Sequence, residues 1–302
     1  MSNDIIHSKT ISDLLGVMGK GDTSHPLITV IDTAKLAYGE ELIGKRFSSD
    51  LYCIALKSAN CGINYGRNSY DFNEGVLIFT APEQIITITK PQALNEVQGW
   101  MLYFHPDLIR KSPLGEKIDK FSFFNYEVHE ALHLSKQEQG TLNQIFNLIV
   151  SEINERIDEH SQEVLISNIE LMLNHCQRFY GRQFNTRTNL NLDVVSKVER
   201  LLKDFYSDNE TKEEGLPTMQ YLADKCNLSP SYLSDLLAKE TGRSAIEHIN
   251  EFLVEKAKNM LLQTTDSISG IAYSLGFNYP HYFSRLFKQK TGKTPQEYRQ
   301  LN

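Results

Sequence analysis

The chain has 302 residues, 40% of them hydrophobic and 23% charged, with a formal net charge of −7. That is the composition of an ordinary folded protein of two domains rather than a disordered or fibrous one. No stretch approaches the roughly eighteen consecutive apolar residues of a membrane span, and the start, MSNDIIHSKT, shows no basic segment followed by an apolar one, so a cytoplasmic protein without a secretory signal is expected.

The four cysteines, Cys53, Cys61, Cys176 and Cys226, have neither CxxC nor Cys/His spacing, so no metal, cofactor or disulfide framework is expected. They read as reduced, with a Cys53–Cys61 redox pair as the alternative. Charge is unevenly placed: residues 1–190 hold 17 Lys/Arg against 23 Asp/Glu, whereas 266–302 hold five basic residues against Asp266 and Glu297. An acidic body with a basic tip implies that a polyanion is met locally, at the tip.

In chain order, LITVIDT (27–33) reads as a strand, followed by LYCIALK, GINYGRNSYDF, GVLIFTAP, QIITITK and GWMLYFH between Leu51 and His105. These short runs are rich in β-branched and aromatic residues and separated by Gly, Pro, Asn or Asp, the pattern of an antiparallel barrel or sandwich. After Pro106 the period lengthens, and residues 135–160 and 161–184 read as two amphipathic helices. The polar stretch GRQFNTRTNLNL (181–192) is expected to be a linker between a domain spanning 1–185 and another spanning 190–302. Beyond it the pattern is helical: VVSKVERLLKDFY (194–206), a solvated acidic loop at 208–215, then helices to the end.

The C-terminal region repeats itself. Residues 229–244 lie over 278–294 with an offset of 50, matching Pro230 to Pro280, Leu233 to Phe283, Leu237 to Phe287 and Thr241-Gly242 to Thr291-Gly292. Each copy has the parts of a helix-turn-helix. In the second, Ser267 can cap a helix whose buried stripe is Ile268, Ile271, Ala272 and Leu275, and Gly276 can end it in the left-handed conformation. Pro280 restarts the chain, Phe283 and Phe287 face the core, and His281, Ser284, Arg285 and Lys288 form the opposite face. Between the copies, residues 244–264 read as one long helix with Ile246, Ile249, Leu253, Ala257, Met260 and Leu261 at helical spacing.

The run SISGIAYSLGFNYPHYFSRLFKQKTGKTPQEYR (267–299) resembles the DNA-binding domain of the AraC (arabinose-regulator) family of bacterial transcription regulators. It carries Ile-Ala, Gly-Phe, Tyr-Phe-Ser-Arg-x-Phe-Lys, Gly and Thr-Pro-x-x-Tyr-Arg at that family's spacing. The likeness extends over the C-terminal hundred or so residues, about a third of the chain, and is strongest over this run. It implies two helix-turn-helix units joined by a helix, binding to double-stranded DNA, and recruitment or obstruction of RNA polymerase; such regulators are often activators. More loosely, the N-terminal part is similar to the cupin-like barrel that many of these regulators use to bind a small effector and to dimerise. The fold class expected is therefore α+β in two domains: a cupin-like antiparallel β-barrel with two packing helices, and an all-α domain with two helix-turn-helix units.

For Arg285 the functional reading is contact with a base edge or phosphate, against the plain reading of a solvated arginine; Arg can donate two bonds to guanine O6 and N7. His281 and Ser284 share its face, and Lys288 reads as a phosphate contact. Tyr282 is either a DNA contact or part of the helix's structural face. Phe277, Phe283 and Phe287 read as core. In the first copy Asp235 and Ala238 stand where the family has basic residues, which leaves Ser231 and Ser234 as its contacts; Leu253 likewise replaces a usual Arg.

In the barrel, Trp100, Tyr103 and His105 on one strand, with Tyr65 and Arg67, can line an effector pocket, although a half-buried strand face reads the same way. An arginine there would suit an anionic or sugar-like effector. Helix 161–180 offers Val164, Ile166, Ile169, Leu173 and Cys176 as a stripe for packing on the barrel or for a homodimer seam, which the resemblance favours. Two rivals stand beside a DNA-binding regulator that is no enzyme. One is a cupin-type metal-dependent enzyme, against which the strands from Leu51 to Lys90 contain no histidine. The other is an interaction module with lost DNA binding, against which the second copy is intact.

Overall fold

The computed structural model describes residues 5–21, 23–35, 44–57, 71–72, 74–87, 99–206 and 215–300. It divides into two units, Met1–Arg187 and Thr188–Asn302. The segments holding Cys61, Tyr65 and Arg67, and most of the 208–215 loop, lie outside the described residues.

Among the described residues of the first unit, eight strands form two sheets. One contains β1 (Ile5–Ser8), β3 (Arg46–Ser49) and β6 (Ile86–Thr87) in the order β1-β3-β6; the other contains β2 (Ile28–Asp32), β4 (Tyr52–Lys57), β5 (Gly75–Thr80), β7 (Gly99–Phe104) and β8 (Leu132–Leu134) in the order β2-β7-β4-β5-β8. The larger sheet is antiparallel throughout, and β1 runs parallel to β3. The expected barrel is not closed among the described strands. LITVIDT, LYCIALK, GVLIFTAP and GWMLYFH all contain strands, as their composition indicates.

The central strands β4 and β7 are covered on both faces, which is why they read as near-continuous apolar runs rather than as alternating ones. Side chains of successive residues point to opposite faces. Ile31, Cys53, Ala55 and Met101 pack with Ile11, Leu14 and Leu15 of the short helix α1 (Ile11–Val17). Trp100 projects from β7 the other way and stacks on Phe146 at 4.3 Å between ring centroids. Two one-turn helices, α2 (Pro106–Ile109) and α3 (Pro113–Lys117), lead to the helical hairpin of α4 (Lys136–Asn154) and α5 (Ser161–Thr186). Ser135 and Glu138 close a capping box at the start of α4.

Two expectations are corrected in this hairpin. Of the stripe read as packing on the barrel or as a homodimer seam, Ile169, Leu173 and Cys176 are 0% exposed within their own domain, so they pack there and not at a seam, whereas the outward apolar residues of α5 are Val164 and Leu171. Residues 181–192, read as a linker, do contain the division between the two units at Arg187/Thr188, but they are helical rather than irregular: α5 ends at Thr186 and α6 (Thr188–Phe205) begins two residues later. The polar side chains there have distant buried partners. Gln183 donates to the Ala131 carbonyl (3.1 Å) and accepts from the His133 amide (2.8 Å). Arg187 makes a two-pronged ion pair with Asp71, Nε to Oδ1 at 2.9 Å and the terminal nitrogen to Oδ2 at 2.6 Å, with both side chains buried.

The second unit continues with α7 (Met219–Cys226), α8 (Pro230–Thr241), α9 (Ala245–Gln263), α10 (Ile268–Ser274), α11 (Pro280–Thr291) and α12 (Pro295–Arg299). Helix pairs α7–α8 and α10–α11 are the two helix-turn-helix units, and α9 connects them. α6 packs on α7 and α8, and α12 on α9 and α11. Ser267 caps α10 by accepting from the Gly270 amide at 3.0 Å. Asn227 (φ 55°) and Gly276 (φ 89°) take equivalent left-handed turns after α7 and α10. Along α9 the buried residues are Ala245, Ile249, Leu253, Val254, Ala257 and Leu261; Ile246, expected on that stripe, is 66% exposed, although the helical pitch puts it in line with Leu253 and Ala257.

Two stability predictions follow from this packing. A Cβ at Gly276 would collide with the Gly215 carbonyl oxygen, at a backbone angle that L side chains rarely adopt. Gly276→Ala is therefore expected to destabilise the second unit by about 2–3 kcal/mol, read as a lowered denaturant midpoint, and an unchanged midpoint would contradict the packing. Asp71→Asn leaves the Arg187 guanidinium buried beside a neutral amide and should cost the first unit about 3–5 kcal/mol in the same measurement.

Candidate nucleic-acid interface

α11 begins with Pro280 at a position where the missing N–H is no loss, and ends at Gly292 with φ 75°. Phe283 and Phe287, one turn apart, are 2% and 0% exposed. Behind them Phe277 lies 5.5 Å from Phe283, and Tyr298 meets Phe287 edge-on at 5.3 Å. This aromatic core fixes the helix about its own axis. The opposite strip carries His281, Arg285 and Lys288, all exposed, flanked by half-buried Ser284 and exposed Tyr282. The structure thus brings all five predicted residues of the second unit onto one helix surface.

That surface is ordered by ring contacts. The Arg285 guanidinium carbon lies over the Tyr282 ring at 5.4 Å from its centroid, and the His281 ring is 4.2 Å from Tyr282. Tyr279, 59% exposed, adds a third ring 5.9 Å from Tyr282 and 5.7 Å from His281. Sequence reasoning passed over two members of this surface. Tyr279 precedes the helix, and Gln289 is exposed four residues beyond Arg285, a spacing that puts it on the same strip. Helical periodicity alone points to Gln289; nothing local points to Tyr279.

α8 is built on the same plan with a different surface. Ser229 caps it by accepting from the Tyr232 amide at 3.2 Å, and Tyr232, Leu233, Leu236 and Leu237 are buried. Its outer strip is Ser231, Asp235 and Ala238, with Ser234 beside them. Ser231 and Ser234 are half-buried and lie where His281 and Ser284 stand in α11. No basic side chain stands at the positions of Arg285 and Lys288.

Of the residues read as an effector pocket, the three that are described, Trp100, Tyr103 and His105, do not come together. Trp100, 7% exposed, donates from its indole nitrogen to Asn143 Oδ1 at 2.8 Å. Tyr103 points to the other face of the sheet, into a cavity of about 120 Å³ between the two sheets and α1, beside Cys53, Thr80 and Gln84. His105 caps α2, its Nδ1 accepting from the Asp107 amide at 3.1 Å. Trp100 and Tyr103 differ by three residues along β7, and an odd separation puts side chains on opposite faces of a strand. Burial pushes the Cys53 thiol up to about 12, which keeps it in the unreactive protonated form. Among the described residues no three His, Cys, Asp or Glu side chains are grouped to hold a metal ion, and no helix is long and apolar enough to cross a membrane.

Residues 222–301 match the family described as a helix-turn-helix domain. The chain is 35% identical over 102 residues to the bifunctional transcriptional activator/DNA repair enzyme AdaA of Bacillus subtilis, which covers 34% of this chain and 47% of that protein. To the HTH-type transcriptional activator RhaS of an Enterobacter species it is 25% identical over 206 residues, 66% of this chain and 68% of that one. Among solved structures, the C-terminal domain of AraT, a response regulator from Geobacillus stearothermophilus, is 31% identical over 36% of this chain and 85% of that chain, with a TM-score of 0.32. This chain spans about half to three-fifths of the first curated relatives, 47% of AdaA and 61% of the regulator YijO of Escherichia coli. With the 267–299 motif inside the matched residues, residues 222–301 form a helix-turn-helix domain similar to those of HTH-type transcriptional regulators and activators.

Proposed function

We propose that the protein is a cytoplasmic, sequence-specific regulator of transcription that binds double-stranded DNA and reads the major groove chiefly through α11. The observation that carries this reading is the exposure of His281, Arg285 and Lys288 along one strip of a helix whose opposite strip is sunk in aromatic core. Arg285 offers the forked donors that match guanine O6 and N7, and Lys288 a point charge for phosphate. His281 and Ser284 share the contact surface, and Tyr282 stands on it beneath Arg285. α8 contributes Ser231 and Ser234 more weakly, because Asp235 repels phosphate. The 19 residues of α9, at about 1.5 Å each, span roughly 28 Å, close to the roughly 34 Å between successive major-groove faces on one side of the duplex.

The domain of residues 1–187 senses and dimerises in this reading. The cavity reached by Tyr103 is lined by Ser8, Ser49, Thr80 and Gln84 among apolar side chains, and no charged group lines it among the described residues, a lining that suits a small uncharged effector. Val164 and Leu171 on the outward face of α5 are the residues available for a homodimer contact. The names of YijO and RhaS, a transcriptional regulator and a transcriptional activator, support a protein that regulates transcription and is not itself an enzyme, whereas AdaA is named a DNA repair enzyme as well as an activator.

The test is selection of bound fragments from random duplex DNA by the full chain, followed by footprinting. A recovered motif covering two major-groove faces, strongest on one of them, is the expected result; failure of both the full chain and residues 188–302 to enrich any sequence would sink the reading. On the recovered site, Arg285→Ala should weaken binding roughly ten- to a hundredfold and relax preference at one base pair. Lys288→Ala should weaken all sequences alike and reduce the slope of log K against log salt by about one. Arg285→Ala binding as tightly and selectively as the parent would show that α11 is not the reading helix.

A further inference from the structure

The internal repeat exposes a difference between two tyrosines. Tyr232 in α8 and Tyr282 in α11 occupy equivalent places, 50 residues apart, yet Tyr232 is 3% exposed and Tyr282 is 49% exposed. In α8 the ring is core. In α11 it is surface, and its neighbour one turn on is Arg285, whose guanidinium carbon sits over the ring. In α8 the same neighbour is Asp235, which no ring face attracts. The two differences are matched: the unit with the outward tyrosine is the unit with the arginine.

An arginine side chain reaches a base edge through a long flexible stem, and two-pronged donation to guanine accepts only one orientation of the fork. Stacking on an aromatic face restrains the guanidinium through its flat surface and leaves its N–H edge available. The Tyr282 ring is itself restrained by contacts with His281 at 4.2 Å and Tyr279 at 5.9 Å. Three exposed rings on the solvent side of one short helix bury little surface for the fold. They make a platform under one charged side chain.

We propose that Tyr282 is a positioning residue for sequence readout: it holds the Arg285 guanidinium in the orientation that reads its base pair and makes no essential DNA contact of its own. This rests on α11 being the reading helix, and the experiment separates the two ideas. Binding of the full chain to its selected duplex, and to every single-base-pair variant of it, is measured at several salt concentrations for the parent, Tyr282→Phe, Tyr282→Ala, Arg285→Ala and the double variant Tyr282→Ala/Arg285→Ala.

Tyr282→Ala is expected to lose about two- to fivefold in affinity, with discrimination reduced only at the base pair that Arg285→Ala identifies and with an unchanged salt slope. Tyr282→Phe keeps the ring and should behave as the parent. In the Arg285→Ala background the alanine at 282 should cost nothing further, because there is no guanidinium left to hold. An equal loss in both backgrounds would make Tyr282 an independent DNA contact and overturn the proposal, as would a Tyr282→Phe loss matching that of Tyr282→Ala, or no loss at all. Unchanged selectivity in Arg285→Ala would instead overturn the reading of α11, and the proposal with it. Thermal midpoints of each variant, read alongside, separate loss of fold from loss of positioning.

Discussion

The burial of Phe283 and Phe287 is the constraint on which the C-terminal domain's surface depends. Two large rings one turn apart leave α11 a single low-energy rotation about its axis, since any other would put apolar area in water at about 25 cal/mol per Å². Phe277 and Tyr298 close the same core from the turn before the helix and from α12. Once that rotation is fixed, the positions of His281, Arg285 and Lys288 follow from the pitch of the helix alone. The turn before it is equally constrained: the left-handed Gly276 lets the chain pass against the Gly215 backbone, and Pro280 sets the direction in which α11 departs.

The two helix-turn-helix units show how one scaffold carries two surfaces. The buried positions of α8 and α11 correspond, Leu233 to Phe283 and Leu237 to Phe287, and both helices end on a left-handed glycine, Gly242 and Gly292. The outer positions share no such rule. Arg285 against Asp235 and Lys288 against Ala238 change the strip from cationic to acidic and neutral without touching the core. The caps differ as well: Ser229 serves the first turn of α8, whereas Tyr279 gives α11 no side-chain cap and contributes a ring to its surface instead. Packing therefore sets the fold of both units, and the divergence is confined to what each presents to solvent.

What could be read from the amino acids alone was what depends on near neighbours. The Ser267 cap, the Gly276 turn, the Pro280 start and the Phe283/Phe287 stripe are all settled within one or two helical turns, and each stands where periodicity and capping chemistry put it. The misreadings involve partners far along the chain. GRQFNTR looks like a polar linker because the hydrogen bonds that satisfy Gln183 and Arg187 come from residues 50 and 116 positions away. Ile169, Leu173 and Cys176 form an apolar stripe whichever surface covers it, and nothing local says that the cover is their own domain. The strands β1, β3 and β8 are three or four residues long, too short for a period to register. Trp100 and Tyr103 read as one face of a single strand, but they stand an odd number of residues apart on β7 and so lie on opposite faces of the sheet.

Net charge is a poor guide to what such a protein meets. At physiological salt a charge is screened over about 8 Å, so a phosphate docked on α11 would respond chiefly to the few side chains within that radius. Arg285 and Lys288 stand on the exposed strip itself, while Glu297, the nearest carboxylate in the sequence, is engaged in the Thr294 capping box, accepting from the Thr294 amide at 2.7 Å. That bond, first among the causes, holds the Glu297 carboxyl below its ordinary range, so its charge persists but is directed at the start of α12. The −7 of the whole chain acts at longer range and at lower salt, where it opposes encounter with any polyanion. An acidic body and a basic strip on α11 are thus compatible: under the proposed function the first lowers non-specific attraction to nucleic acid, and the second makes binding depend on contacts that only a correctly seated groove can satisfy.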